Sequence, residues 1–329
     1  MINFTEINPC RKFLTTGEDL GHMNTLKLAY RDDDRTPLIF CIKEMASRHY
    51  GVNLEVILIK PQLEFEAALF KGSCDVIIEH VEYLHAEAGN GKKILFFCAP
   101  QIFRGLELVV PQNINSIQEF RGKTIAVRAL GRPYAVSLWL RAVGLDKDVR
   151  TMIIGDKEVG RWRQWTKVAS GECIGCFVEP IYLRAALSAG LKTLSVPEIP
   201  VVSLYAQACL TKFAMENSSV LLNYVKAVIH AVCLVLYRRD EAMEIISQEP
   251  MKRMKINDRA ELRRQVDCMA RKLQVKPYPS AEAIINTHEI AVDEYGARLQ
   301  NPLTLWDLHW VKQLDDEGFI DDLVAQMNR

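Results

Sequence analysis

The chain lacks an excess of either charge: 41 basic residues balance 41 acidic ones across 329 residues. With no net field there is no long-range pull toward nucleic acid or an anionic membrane, so the expected partner is a small molecule. Long apolar runs are also missing. None approaches the roughly eighteen residues a membrane span requires, and the best, Ala227 to Tyr237, is interrupted by His230. Met1 to His22 has no apolar core and no small-residue cleavage site, so it does not read as a secretory signal, and a cytoplasmic location is expected. Met23 could serve as an alternative start. There is no P-loop, no G-x-G-x-x-G and no nucleophile elbow, which removes nucleotide-dependent and covalent-hydrolase readings. The nine cysteines are an odd number, and several sit inside apolar runs such as Phe96-Phe97-Cys98. They read as buried thiols of a reducing compartment, not as a disulfide framework. Cys173 and Cys176 have C-x-x-C spacing but no second pair or histidine partner at metal-finger distance. No cofactor is expected; a divalent metal is left open, as is a homo-oligomer.

What is present is an ordinary globular composition, 49% apolar and 25% charged, in a chain long enough for about two domains. Two stretches repeat one pattern. Phe65 to Glu79 (FEAALFKGSCDVIIE) and Trp165 to Pro180 (WTKVASGECIGCFVEP) each run from a short helix through a glycine turn into an apolar strand that stops at a glutamate. In open α/β sheets ligands bind outside the carboxyl ends of strands, so the repeat implies two similar lobes facing one cleft, with Glu79 and Glu179 at strand ends.

Strand and helix patterns alternate through the first two-thirds of the chain, which implies a parallel or mixed sheet. A strand over 25–30 leads into Arg31-Asp32-Asp33-Asp34-Arg35, then a helix with Thr36 as N-cap, Pro37 in its first turn and Gly51 as its stop. Strands are expected at 54–59, 76–78, 93–98, 106–110, 124–127, 152–154, 176–178, 191–196 and 201–210. Helices are expected at 63–70, 83–88, 116–121, up to 143, 163–169 and 181–189. From 217 onward the pattern is helical, over 217–237, 239–247, 257–273, 280–297 and 306–316. Residues 1–23 read as an N-terminal extension, 24–110 and 198–329 as a discontinuous first lobe, and 111–197 as an inserted second lobe.

Four groups of side chains suit ligand chemistry. Arg31, Asp32, Asp34 and Arg35 lie between a strand end and a helix start. The acidic residues there oppose the helix dipole, so an arginine would hold a substrate carboxylate; the alternative is a solvated charge run. Glu79, His80, Glu82, Tyr83 and His85 bring acids, imidazoles and a phenol to one turn, where a histidine is the natural proton donor near neutral pH; the alternative is capping and core roles. Arg104, Arg128 and Arg132 are candidate carboxylate clamps or plain surface arginines. Trp162 and Trp165, flanking Arg161 and Arg163, would stack on an aromatic ligand or pack in the core.

The order of elements, with the second lobe inserted into the first, resembles type II periplasmic-binding-protein folds. FRGKTIAV at 120–127 and GECIGCFVEPIYLRAALSAGLKTL at 171–194 resemble the aliphatic-sulfonate and thiamine-pyrimidine-precursor group of that superfamily. The resemblance spans about Leu26 to Leu323 and places Glu179-Pro180 at the cleft. Arg-Asp-Asp-Asp-Arg-Thr at 31–36, with Asn301-Pro302-Leu303 and Phe319-Ile320, is similar to the 4,5-dihydroxyphthalate decarboxylase family. Fungal-type thiamine pyrimidine synthases are similar over 204–225. This chain has Cys209 alone where they carry adjacent cysteines, and Tyr83 where they carry an essential histidine, which argues against their suicide chemistry.

Two functions follow as expectations. One is a decarboxylase-like lyase acting on a small, aromatic or heteroaromatic carboxylate. Arg31, Arg35, Arg104 or Arg128 would hold charge, His80 would protonate carbon, and a closing cleft would stabilise the carbanion. The other is a solute-binding protein or sensor that closes on its ligand without changing it.

Overall fold

The computed structural model describes residues 24–31, 35–79, 81–103, 105–128, 134–160, 162–202, 205–298 and 300–329. Its first segment runs β1 (Asn24–Tyr30), α1 (Thr36–Tyr50), β2 (Val52–Leu58), α2 (Gln62–Ala68), β3 (Val76–Glu79), α3 (Glu82–Gly89) and β4 (Ile94–Cys98). α1 ends where expected. Gly51 takes the left-handed conformation at φ 63°, and its N–H donates to the Ala46 carbonyl. Its start differs by one residue. Arg35 holds the cap position and Thr36 is already helical, because the Thr36 Oγ1 is engaged with the Tyr30 hydroxyl at 3.1 Å.

The second segment contains β5 (Glu107–Pro111), β6 (Thr124–Arg128), α4 (Tyr134–Ala142), β7 (Arg150–Ile154), α5 (Asp156–Val159), α6 (Trp165–Ala169), β8 (Gly175–Val178), α7 (Pro180–Ser188) and β9 (Leu191–Leu194). The chain then returns through β10 (Ala206–Leu210) to α8 (Thr211–Glu216), α9 (Ser218–Tyr237), α10 (Arg239–Ile246), α11 (Glu249–Arg253), α12 (Arg259–Ala270), α13 (Ala281–Tyr295), α14 (His309–Asp316) and α15 (Phe319–Met327).

The strands form two five-stranded sheets, ordered β2-β1-β3-β10-β4 and β7-β6-β8-β5-β9. The plans are identical. In each, three parallel strands come first, and one antiparallel strand is inserted next to the edge: β10 in the first sheet, β5 in the second. The repeated sequence units are α2–β3 and α6–β8, and they occupy corresponding places in the two sheets.

The expected lobe boundary at 110 is corrected by β5. That strand pairs with β8 and β9 of the second sheet, because Leu108 and Val110 face one of that lobe's core clusters and Val109 faces the other. The expected strand at 201–210 is shorter at its start, because Val201 and Val202 are occupied in the crossing. The Val201 N–H donates to the Ile102 carbonyl at 2.8 Å, and the Val202 N–H donates to Thr287 Oγ1 at 2.8 Å.

Each sheet buries both faces under helices, as mixed sheets with near-continuous apolar strands do. In lobe one, α1 and α9 cover one face and α2, α3 and α13 the other. α9 is long and apolar enough to cross a membrane by composition alone, with mean hydropathy 1.9. However, 67% of that window is buried inside the fold, which makes it the central core helix. His230, which interrupts the apolar run, bonds through Nδ1 to the Tyr50 hydroxyl at 3.0 Å.

Candidate functional site

The parallel strands β1, β3, β6 and β8 end at residues 30, 79, 128 and 178, and α1, α3, α4 and α7 follow them. Helix amino ends carry unpaired N–H groups and a partial positive charge, so these edges favour anionic groups. The described charged residues at these ends are Arg31, Arg35, Glu79 and Glu82 in lobe one and Arg128 and Glu179 in lobe two.

Arg35 and Glu79 come together directly. The two side chains form a salt bridge and are only 2% and 3% exposed. Arg35 thus has a carboxylate partner within the chain, and its first effect is to hold β3's end against the start of α1. Arg31 is half-buried, and its Nε is enclosed without a hydrogen-bond partner.

The expected cleft-facing turn after β3 is only partly realised. Glu82 is buried at the start of α3. Tyr83 and His85 point into lobe one, because α3 packs against α13 and β4. The Tyr83 ring sits edge-on to Phe65 at 6.3 Å, and its hydroxyl has no partner. Burial first, and then nearby Glu79, push that phenol well above its ordinary range. His85 is fully buried, 4.5 Å from Phe96, 5.9 Å from His288 and 6.2 Å from Trp306, centroid to centroid. Burial and then His288 lower its pKa to about 3, so the ring is neutral near neutral pH. A ring in that state is no imidazolium acid near neutral pH, and it is enclosed in the core. Asp32, Asp34, His80, Arg104 and Arg132 lie outside the described residues.

In lobe two, the guanidinium of Arg128 lies 4.5 Å above the centre of the Trp162 ring. Stacking of this kind fixes the plane of the guanidinium. Trp162 adopts φ 58°, a left-handed conformation costly for a bulky residue. Trp165 is half-buried and packs against the apolar cluster that holds Val168, Cys176 and Val178. Cys173 and Cys176 are free thiols that burial pushes up in pKa. Among the described residues no group of three or more His, Cys, Asp or Glu gathers in metal-binding geometry.

Glu179 meets a partner to which no local sequence pattern points. Its Oε2 accepts from Lys272 Nζ at 3.2 Å, a bridge from the end of β8 in lobe two to the end of α12 in lobe one. The Lys272 stem crosses Gly105, where a Cβ would come within 2.7 Å of Lys272 Cε. A second pair, Arg141 Nη2 to Asp293 Oδ2 at 2.8 Å, joins α4 to α13 on a more exposed flank.

Two glutamines were also missed. Gln207 on β10 is opposite Ile78, next to the Glu79–Ala206 pair at β3's carboxyl end. It is fully buried, and neither amide atom has a hydrogen-bond partner. Gln101, just past β4, is equally buried; its Nε2 donates to the Phe103 carbonyl at 2.5 Å, and its Oε1 has no partner. The sequence signal for Gln207 is a polar residue within the apolar strand AQACL.

No known family matches the sequence, and no curated protein does. Solved structures do match. The periplasmic sulfonate-binding protein SsuA of Methylobacillus flagellatus superposes with a TM-score of 0.66 at 20% identity, over 90% of this chain and 96% of that one. SsuA of Xanthomonas axonopodis, bound to MOPS, gives 0.56 at 15% identity over 86% and 98%. A Candida albicans gene product described as having the generic periplasmic binding protein fold gives 0.54 at 14% identity over 88% and 94%. The chain has the two-lobed periplasmic-binding-protein fold, as its element order suggested. At these identities the likeness extends to the fold alone.

Proposed function

We propose that this protein binds a small organic anion between its lobes and releases it unchanged. The observation that carries this reading is the duplicated edge. In both sheets the carboxyl ends of the parallel strands run into helix amino ends, with Arg31 at one and the Trp162-stacked Arg128 at the other. Neighbours of this fold are named as sulfonate-binding proteins, which makes sulfonates and carboxylates the first ligands to try.

The carboxy-lyase reading requires a proton donor facing the ligand. The donor expected for it, His80, lies outside the described residues; of its neighbours, His85 is neutral and enclosed and the Tyr83 hydroxyl is buried. Binding without chemistry requires only charge complementarity and lobe movement.

Isothermal titration with alkanesulfonates and benzoate, followed by mass spectrometry of the recovered ligand, tests the reading. Saturable binding, intact ligand and at least a tenfold loss in Arg128→Ala are expected. Carbon dioxide release or an altered ligand would replace binding with catalysis, and the absence of heat with every anion would reject the reading.

A further inference from the structure

Glu79 and Glu179 hold the same place in two sheets of identical plan, at the carboxyl ends of β3 and β8. Their cations differ in origin. Glu79 is paired by Arg35 of its own lobe, and both side chains are sealed in. Glu179 is paired by Lys272 of the other lobe, with the two side chains 19% and 11% exposed. Lobe one neutralises its own strand-end carboxylate, whereas lobe two takes its cation from lobe one.

The surroundings are shaped for that reach. α12, which Lys272 follows, packs against α7, the helix whose cap position Glu179 holds. The Lys272 stem lies on Gly105 in the outgoing crossing, where a Cβ would stand 2.7, 3.1 and 3.2 Å from its Cε, Cδ and Cγ. Any side chain at 105 would displace the stem, so the glycine keeps the ammonium in place. Charge placement gives the pair its meaning. β6 and β8 are parallel neighbours, with Ala126 beside Cys176. Carried two residues on, that register sets Val178 beside Arg128, with Glu179 next. Adjacent strands lie about 4.8 Å apart, so the carboxylate stands near the guanidinium proposed to receive the anion. Paired with Lys272 it is neutralised; unpaired, it repels an incoming anion where screening by solvent is weak.

We infer that Lys272 and Glu179 form a charge-coupled latch between the lobes. Bringing the lobes together supplies the cation that makes the edge of lobe two acceptable to an anion, and a bound anion in turn favours the latched arrangement. Such coupling is reciprocal. Lys272 is a positioning residue here: it acts through Glu179 and touches no ligand. The coupling to ligand rests on the anion-binding reading above; the hold on the lobes does not.

Small-angle X-ray scattering of the ligand-free full chain reads the hold. Lys272→Met should increase the radius of gyration, and Lys272→Arg should not. If Lys272→Met does not fold, the near-isosteric Glu179→Gln breaks the same bond and should give the same increase. Calorimetric titration with benzoate and ethanesulfonate reads the coupling. Lys272→Met should bind at least about fivefold more weakly than the native protein, and adding Glu179→Gln to it should regain affinity, because the repelling charge is gone. A merely structural lysine would leave the double variant as weak as the single one. An unchanged radius of gyration in both single variants would overturn the latch; unchanged affinity in Lys272→Met, or no recovery in the double variant, would overturn its coupling to charge. If the native protein binds neither anion, the anion-binding reading and the coupling fall together, and scattering still decides whether the pair holds the lobes.

Discussion

Lys272 Nζ and Glu179 Oε2 lie 3.2 Å apart although 93 residues separate them, and their bond crosses from lobe one to lobe two. Both side chains are largely buried, so the pair is less screened than the peripheral Arg141–Asp293 bridge. Lys272→Met should cost roughly 1–2 kcal/mol, because Glu179 keeps its charge without its cation. Adding Glu179→Leu should recover most of that loss. Urea unfolding of both single variants and the double variant yields the coupling, and additive losses would show that the bridge contributes nothing.

The Arg35–Glu79 pair is more deeply enclosed. Arg35→Leu leaves a buried carboxylate without its guanidinium, and the expected loss is about 3–5 kcal/mol. Removing both charges should be milder than removing one. A Glu79→Leu, Arg35→Leu protein less stable than Arg35→Leu alone would contradict this.

Gln207 predicts the opposite sign. Its amide is fully buried with neither atom partnered, so Gln207→Leu should leave the ligand-free protein unchanged or stabilise it by up to about 1 kcal/mol. Chemical denaturation checks this; a loss above that size would mean the amide is satisfied in solution.

Acid should destabilise the fold through two histidines. Burial and then His288 lower His85 to about 3, while burial and then His49 lower His230 to about 4, both from an ordinary 6.5. Below pH 6.5 the unfolded chain takes up protons that the folded rings refuse. Stability is therefore unaffected by these groups above that pH and falls as pH drops toward the folded values. Each ring contributes a slope of up to about 1.4 kcal/mol per pH unit. Unfolding free energies between pH 7 and 4 should show a shallower slope in His85→Leu than in the native protein.

The sequence made the sheet plan legible where punctuation was strong. Pro37 and Gly51 bracket α1, and the two glycine-turn units mark β3 and β8 in both lobes. Packing decided the rest. Nothing local in EYLHAEAG says which face of α3 meets α13, about two hundred residues later, so His85 read as cleft-facing when it is core. Pairing of β5 with β8 and β9, which no local pattern announces, assigns it to lobe two. The pattern does not announce α15, which begins directly after α14 where Gly318, at φ 77°, turns the chain. Lys272 carries no motif at all; its importance comes entirely from its distant partner.

The identical strand orders have an unequal consequence for synthesis on the ribosome. Every strand of the second sheet lies between residues 107 and 194, so that lobe can complete its pairing from one continuous stretch of emerging chain. The first sheet cannot: among the described residues β4 has β10 as its one neighbouring strand, and β10 begins at residue 206. The lobe that is made first is finished last, with its edge strand waiting for a partner until the inserted lobe has been translated.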